Sequence, residues 1–182
     1  MTDHIYDSFL EYHIDPDDHE TFVIGKMLSS GEEWFILEEV TSNGQFDGFS
    51  LYKAKDLIMT QDNTEYLNYV RALMFFRYDP PSVWPSFEDK PFLNFLSYSK
   101  QIDKPIALEL MESGEINARG FVSEMSDEYI ILNQVNEFAH KDGKILISLR
   151  SITRAFIMNR KLEDIDLVYK KINASVNQGT IP

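Results

Sequence analysis

Cysteine is absent from this chain of 182 residues, which removes disulfides, thiolate metal ligands and cysteine nucleophiles together and fits a reducing compartment. Long apolar runs are missing too, and none approaches the roughly 18–20 residues of a membrane span. The first residues, MTDHIYDSFLEYHIDPDD, are acidic where a secretory signal is basic and then apolar. The expected location is therefore cytoplasmic, with no membrane partner. There is no glycine-rich phosphate loop, no HExxH and no dinucleotide fingerprint. No serine, histidine and acid stand in a recognisable nucleophilic order either, so no catalytic residue and no cofactor is expected.

Basic residues are scarce. The chain has 17 Lys and Arg against 30 Asp and Glu, a formal net charge of −13. Residues 1–60 hold 13 acids against 3 bases, whereas residues 104–158 hold 8 against 6. Such a field repels phosphate backbones, so nucleic acid is not the expected partner of the first half. A solubilising surface is the ordinary meaning of this acidity, and a patch that receives a basic protein is the more specific one. Glu38 and Glu39, with Phe46 and Phe49 flanking Asp47-Gly48, are the candidate partner-binding residues, because aromatic anchors concentrate at interfaces.

What the chain does have is 43% hydrophobic and 13% aromatic residues, enough for one medium core or two small ones. It also has a repeat. Displaced by 95 residues, positions 25–60 align with 120–155 without a gap. Gly25, Glu33, Ile36, Leu37 and Val40 meet Gly120, Glu128, Ile131, Leu132 and Val135. Asp47, Gly48 and Leu51 meet Asp142, Gly143 and Leu146. Duplication is the economical reading.

Each copy reads as five short strands. In the second they are PIALELME, INARGFVSEM, EYIILNQV, KILISL and ITRAFIM, with apolar alternation at Ile106, Leu108 and Leu110. In the first they are FLEYHI, TFVIGKML, EWFILEEV, FSLYKA and DLIMT. The opening strand matches at a displacement of 96, so the extra residue belongs in the DPDDH hairpin. Inside a strand it would turn every side chain to the other face. Gly120 in mid-strand marks a bend, and Asp47-Gly48 and Asp142-Gly143 read as turns with glycine at positive φ.

DNTEYLNYVRALMFF predicts a helix, with Asp62 and Glu65 at capping-box spacing and a stripe of Tyr66, Leu67, Val70, Leu73 and Met74. Four prolines in the thirteen residues from Asp79 mark a linker, pinned by Trp84 and Phe87. FLNFLSYSKQ reads as a short helix, and a last helix at 160–173 carries Leu162, Ile165, Val168, Tyr169 and Ile172. The expected organisation is a first barrel at 1–62, a helix with proline-rich linker and short helix at 63–103, a second barrel at 104–158, a C-terminal helix at 159–175 and a frayed tail at 176–182. The class is mainly β, α+β overall.

GEINARGFVSEMSDEYIILNQV followed by GKILISLRSITRAF resembles the Sm-like superfamily, which includes bacterial RNA chaperones of the Hfq type. Gly120 matches the glycine of a bent second strand, Asp127 or Glu128 the acid before an apolar third strand at Tyr129–Leu132, and Ile147–Ile152 the short fourth strand leading into the fifth. Gly25, Glu32 or Glu33, Trp34–Leu37 and Tyr52–Leu57 match in the first copy. The resemblance spans about 110 residues and implies two tandem, five-stranded, strongly bent Sm-like or SH3-type barrels.

The family's RNA-binding residues are mostly replaced. Ile36 and Ile131 stand for the base-reading Asn, and Lys53-Ala54 and Ser148-Leu149 for Arg-Gly. Ala54-Lys55 and Leu149-Arg150 stand for the Hfq-type Lys-His. The expected function is a non-enzymatic binding or adaptor protein that engages a basic protein, or another copy of itself as a homo-oligomer through open strand edges. The alternative is a diverged RNA-binding protein using Lys141, Lys144, Arg150 and Arg154. A third reading, a hydrolase or hard-cation site, rests on Asp15, Asp17, Asp18 and His19. Turn composition accounts for that cluster equally well.

Overall fold

The structure, a computed structural model, describes residues 6–15, 18, 20–82, 85–87 and 90–177. It is mainly β, with three α-helices among the described residues, and divides into two compact units, residues 1–95 and 96–182. None of the helices among the described residues is long and apolar enough to cross a membrane.

In the first unit β1 (Phe9–His13), β2 (Val23–Ser30), β3 (Trp34–Val40), β4 (Phe46–Lys53) and β5 (Met59–Gln61) pair antiparallel in the order β5-β1-β2-β3-β4. Phe35, Ile36 and Leu37 of β3 are all buried, so this strand is covered on both faces. The fifth strand is shorter than DLIMT predicts, because residues 54–56 form a 3-10 turn and pairing resumes at Met59. Helix α1 (Glu65–Arg77) packs Leu67, Val70 and Met74 on Phe9, Ile24 and Val40. Its cap is Thr64, whose hydroxyl accepts from the Leu67 N–H at 3.0 Å. Asp62 does not cap the helix and pairs with Arg71 instead, at 2.9 Å. From the proline-rich segment, Phe87 is buried against Phe49, and its carbonyl accepts from the Ser29 hydroxyl at 3.3 Å. Trp84 lies outside the described residues.

Helix α2 (Pro91–Gln101) contains the boundary between the units. The second unit then follows with β6 (Ile106–Leu110), β7 (Ile116–Met125), β8 (Tyr129–Val135), β9 (Lys141–Ser148), β10 (Ile152–Ile157) and α3 (Arg160–Asn177). Its strand order is β10-β6-β7-β8-β9. On α3, Leu162 and Ile165 are buried, while Val168 of the expected stripe is 43% exposed and Asp166 is buried in its place.

The pairing of the first unit recurs in the second. Gly25↔Glu39 and Met27↔Leu37 recur 95 residues on as Gly120↔Gln134 and Val122↔Leu132. The register shift between Met27 and Ser29 recurs between Val122 and Glu124. Trp34↔Lys53 and Val40↔Phe46 recur as Tyr129↔Ser148 and Val135↔Lys141. Leu10↔Gly25 recurs as Ile106↔Gly120, so the first strand alone is displaced by 96 and the extra residue falls between β1 and β2.

The correspondence reaches beyond residue 60. Asn63 and Met158 both take positive φ, at 56° and 59°. Thr64 and Asn159 cap Leu67 and Leu162, and the helices begin at 65 and 160. Gly48 and Gly143 do have positive φ, yet they lie inside β4 and β9. The chain reverses earlier, at 41–45 and 136–140, where the Thr41 hydroxyl and the Asn136 amide oxygen accept the backbone N–H groups of residues 45 and 140.

Candidate functional site

Helix α1 has one face more than it needs. Leu67, Val70 and Met74 fill the core, but Tyr66, Tyr69 and Phe76 lie together on another side, exposed by 43%, 61% and 79%. Phe75, 57% exposed, meets Phe76 edge-to-face at 5.0 Å. Phe75 and Phe76 also border a groove of about 340 Å³ lined by Tyr6, Asp7, Arg71 and Ala72. The guanidinium there is occupied, because Arg71 donates to the carbonyls of Tyr6, Asp7 and Phe9 and to Asp62. The groove therefore offers aromatic surface, with its cation already bound internally.

The corresponding face of α3 carries charged residues at these positions and no exposed ring, with Leu167 and Val168 exposed among them. At a displacement of 95, Tyr66, Tyr69, Phe75 and Phe76 correspond to Lys161, Asp164, Lys170 and Lys171. Solvated charges are what an exposed helix face ordinarily carries, so the fold does not require aromatic rings at these positions.

Glu38 and Glu39 occupy adjacent positions on β3 and face opposite sides. Glu38 is fully buried and accepts a hydrogen bond from the Tyr78 phenol, at the C-terminal cap of α1. Burial drives its carboxyl up to about 7, against the opposing pull of that phenol and of Lys26. Glu39, half-buried, accepts from the Tyr52 phenol at 2.6 Å, and desolvation lifts it likewise to about 7. Their counterparts in the second unit are the neutral amides Asn133 and Gln134.

The four expected partner-binding residues do not form one surface. Glu38 and Phe49 are each 0% exposed, which corrects the expectation for both. They are register partners across β3 and β4, and Phe49 packs against Phe46 and Phe87. Phe46 and Glu39 are half-buried. The aromatic face of α1 is hidden in the sequence because Tyr66 falls in the apolar stripe, and it does meet Phe22 edge-on at 5.7 Å while 43% exposed. The signal that finds it is the substitution pattern between the two helices.

Lys141 and Lys144 are exposed on β9, and Arg150 is exposed in the 3-10 turn that follows. Arg154 is half-buried on β10 and lies 3.5 Å from the buried Glu109 carboxylate, so it is committed to an internal ion pair. Of the cation candidates, Asp17 and His19 lie outside the described residues. Asp18 accepts from the Glu20 N–H at 3.1 Å and the Thr21 hydroxyl at 2.6 Å, as a turn residue does. Among the described residues no three His, Asp or Glu side chains are grouped to hold a metal.

The second unit holds one ionic cluster that sequence pattern did not reveal. Lys104 lies 2.6 Å from Glu163 and 2.9 Å from Asp166, and Lys170 lies 2.9 Å from Asp166. Burial works to lower the Lys104 ammonium, and the two carboxylates outweigh it, leaving it above its ordinary value.

Compared with models of known protein families, with curated proteins and with solved structures, the chain gives no match.

Proposed function

We propose that this chain is a non-enzymatic, cytoplasmic adaptor built from two tandem Sm-like or SH3-type barrels, and that its first unit engages a basic protein partner through the outer face of α1. One observation carries the reading. Tyr66, Tyr69, Phe75 and Phe76 are exposed at positions where the sister helix has lysine or aspartate. Exposed aromatic clusters of this kind mark interaction surfaces, and they supply the residue types that dominate binding energy. The acidity of residues 1–60 supplies the charge complement for a basic partner. The barrel part of the reading is supported by Gly25 and Gly120 beside the register shifts of β2 and β7. It is supported also by the single 3-10 turns that lead from each fourth strand into the fifth.

Self-association through a strand edge is a second reading, favoured by β9. This strand ends the order of its unit and is exposed along most of its length, with Leu146 at 62%. RNA binding has less support, because only Lys141, Lys144 and Arg150 of its four residues remain available.

The test compares capture by the wild-type chain with capture by Tyr69→Ser/Phe76→Ser. Both positions are exposed, so the double variant is expected to fold with stability within about 1 kcal/mol of the parent. A stoichiometric basic polypeptide bound by the parent and lost from the variant is the expected result. Equal recovery by both overturns the reading, and concentration-dependent dimers that persist in the variant would favour β9 instead.

A further inference from the structure

Glu38 is placed where a charge is hardest to keep. It lies on β3 between Lys26 of β2 and Phe49 of β4, and no part of it reaches solvent. One carboxyl oxygen accepts from the Tyr78 phenol, while the other is buried without a hydrogen-bond partner. Tyr78 closes α1, since its own N–H returns to the Met74 carbonyl at 2.9 Å. Its ring meets Phe9 at 5.6 Å and Tyr6 at 6.0 Å, both edge-on. The end of the helix is thus held to the sheet by ring packing and by one buried acid. The second unit has Asn133 at this position, which can never ionise.

We propose that the Glu38 carboxyl is a proton-controlled latch on the end of α1: protonated, it stays buried beneath Tyr78 with that end docked; ionised, it demands water that only opening of that end can supply. The ionisable groups that face it are few. Lys26 comes from β2 and the Tyr78 phenol from the end of α1, with the Tyr6 phenol beyond Tyr78, and β4 contributes the uncharged Phe49. Lys26 and the phenol both favour the anion, and desolvation outweighs them. Glu39, one residue on, faces the other side of β3 and bonds to Tyr52, so it does not share the latch.

The direction follows from linkage. The docked state holds the proton more tightly than the open state does. The docking advantage is therefore complete below the ordinary carboxylate value of 4.5 and is lost as pH rises toward about 7. With those two values, the opening equilibrium of the last turn of α1 rises about tenfold between roughly pH 6 and pH 8. The inference stands without the proposed partner, since its readout is the helix itself.

Amide hydrogen exchange at Phe76, Arg77 and Tyr78, corrected for intrinsic rates, measures the opening across this range. The wild-type chain is expected to show the tenfold rise, and Glu38→Gln to lose the slope. Tyr78→Phe is expected to move the rise to higher pH, because its phenol favours the charged carboxylate. A wild-type slope that survives in Glu38→Gln overturns the latch, as does a wild-type protein with no slope. Should Glu38→Gln not fold, the Glu38 carboxyl carbon can be titrated by NMR in the wild-type chain. A midpoint near 7 supports the latch and one near 4.5 overturns it.

Discussion

Residue 71 in α1 is an arginine, and its counterpart in α3, residue 166, is an aspartate. Both hold their helix to the segment that enters the first strand. Arg71 donates to the carbonyls of Tyr6, Asp7 and Phe9, and Asp166 accepts from Lys104, two residues before β6. The charge has inverted while the mechanical role has stayed. Pairing registers, the bulges of the second and third strands and the helix-cap positions are dictated by backbone geometry and recur at equivalent positions. Side chains that satisfy a tie can change sign, and those that satisfy nothing internal can change character altogether. Tyr69 against Asp164 and Phe76 against Lys171 belong to this last group, and both members of each pair are exposed.

The comparison breaks most severely at the paired glycines. A Cβ at Gly120 would lie 2.2 Å from the Asn133 carbonyl oxygen, and one at Gly25 would lie 2.9 Å from that of Glu38. Both neighbours are backbone and cannot yield cheaply. Gly120→Ala is expected to destabilise its unit by about 3 kcal/mol or more and Gly25→Ala by about 1–2, read from chemical denaturation. Equal and small effects would mean that the strands cross less tightly than the shared bulge implies.

The next effect is at the inverted ties. Arg71→Leu leaves three carbonyls without their donor and is expected to cost about 2–4 kcal/mol. Asp166→Asn leaves Lys104 with Glu163 at 2.6 Å but removes the buried charge that faces both Lys104 and Lys170, and is expected to cost about 1–3 kcal/mol. The two losses should also separate by salt. The exposed part of the Lys104 cluster is screened by added salt, whereas the Arg71 bonds to neutral carbonyls are screened less.

Much of the strand layout was legible because the residues that fix it are chemically distinctive. Gly25 and Gly120 mark the bulges, and the apolar runs Trp34–Leu37 and Tyr129–Leu132 mark the third strands. The helix correspondence was not legible. Leu67 and Leu162 are identical, but the caps Thr64 and Asn159 differ in type, and the four exposed rings of α1 are replaced by charged residues on α3, where the exposed apolar residues are Leu167 and Val168. The reversal at 41–45, rather than at Asp-Gly, is not legible from the repeat because its second-unit counterpart uses Ala139 at φ 63°, a residue that advertises no turn. That substitution has a physical reason. A Cβ at Gly44 would lie 2.6 Å from the Met74 nitrogen, whereas Ala139 packs its methyl against Val135 and Ile165. Glu38 was read as surface because a carboxylate in mid-strand ordinarily is. Its burial depends on Tyr78, 40 residues away, and no local pattern contains that information.

The most direct measurement installs a photo-crosslinking amino acid at position 76 of α1 and, separately, at its counterpart 171 of α3, in cells that express the chain. The account predicts an adduct with a basic polypeptide from position 76 that is absent from position 171. Adducts of the same identity and yield from both positions, or none from either, would contradict it.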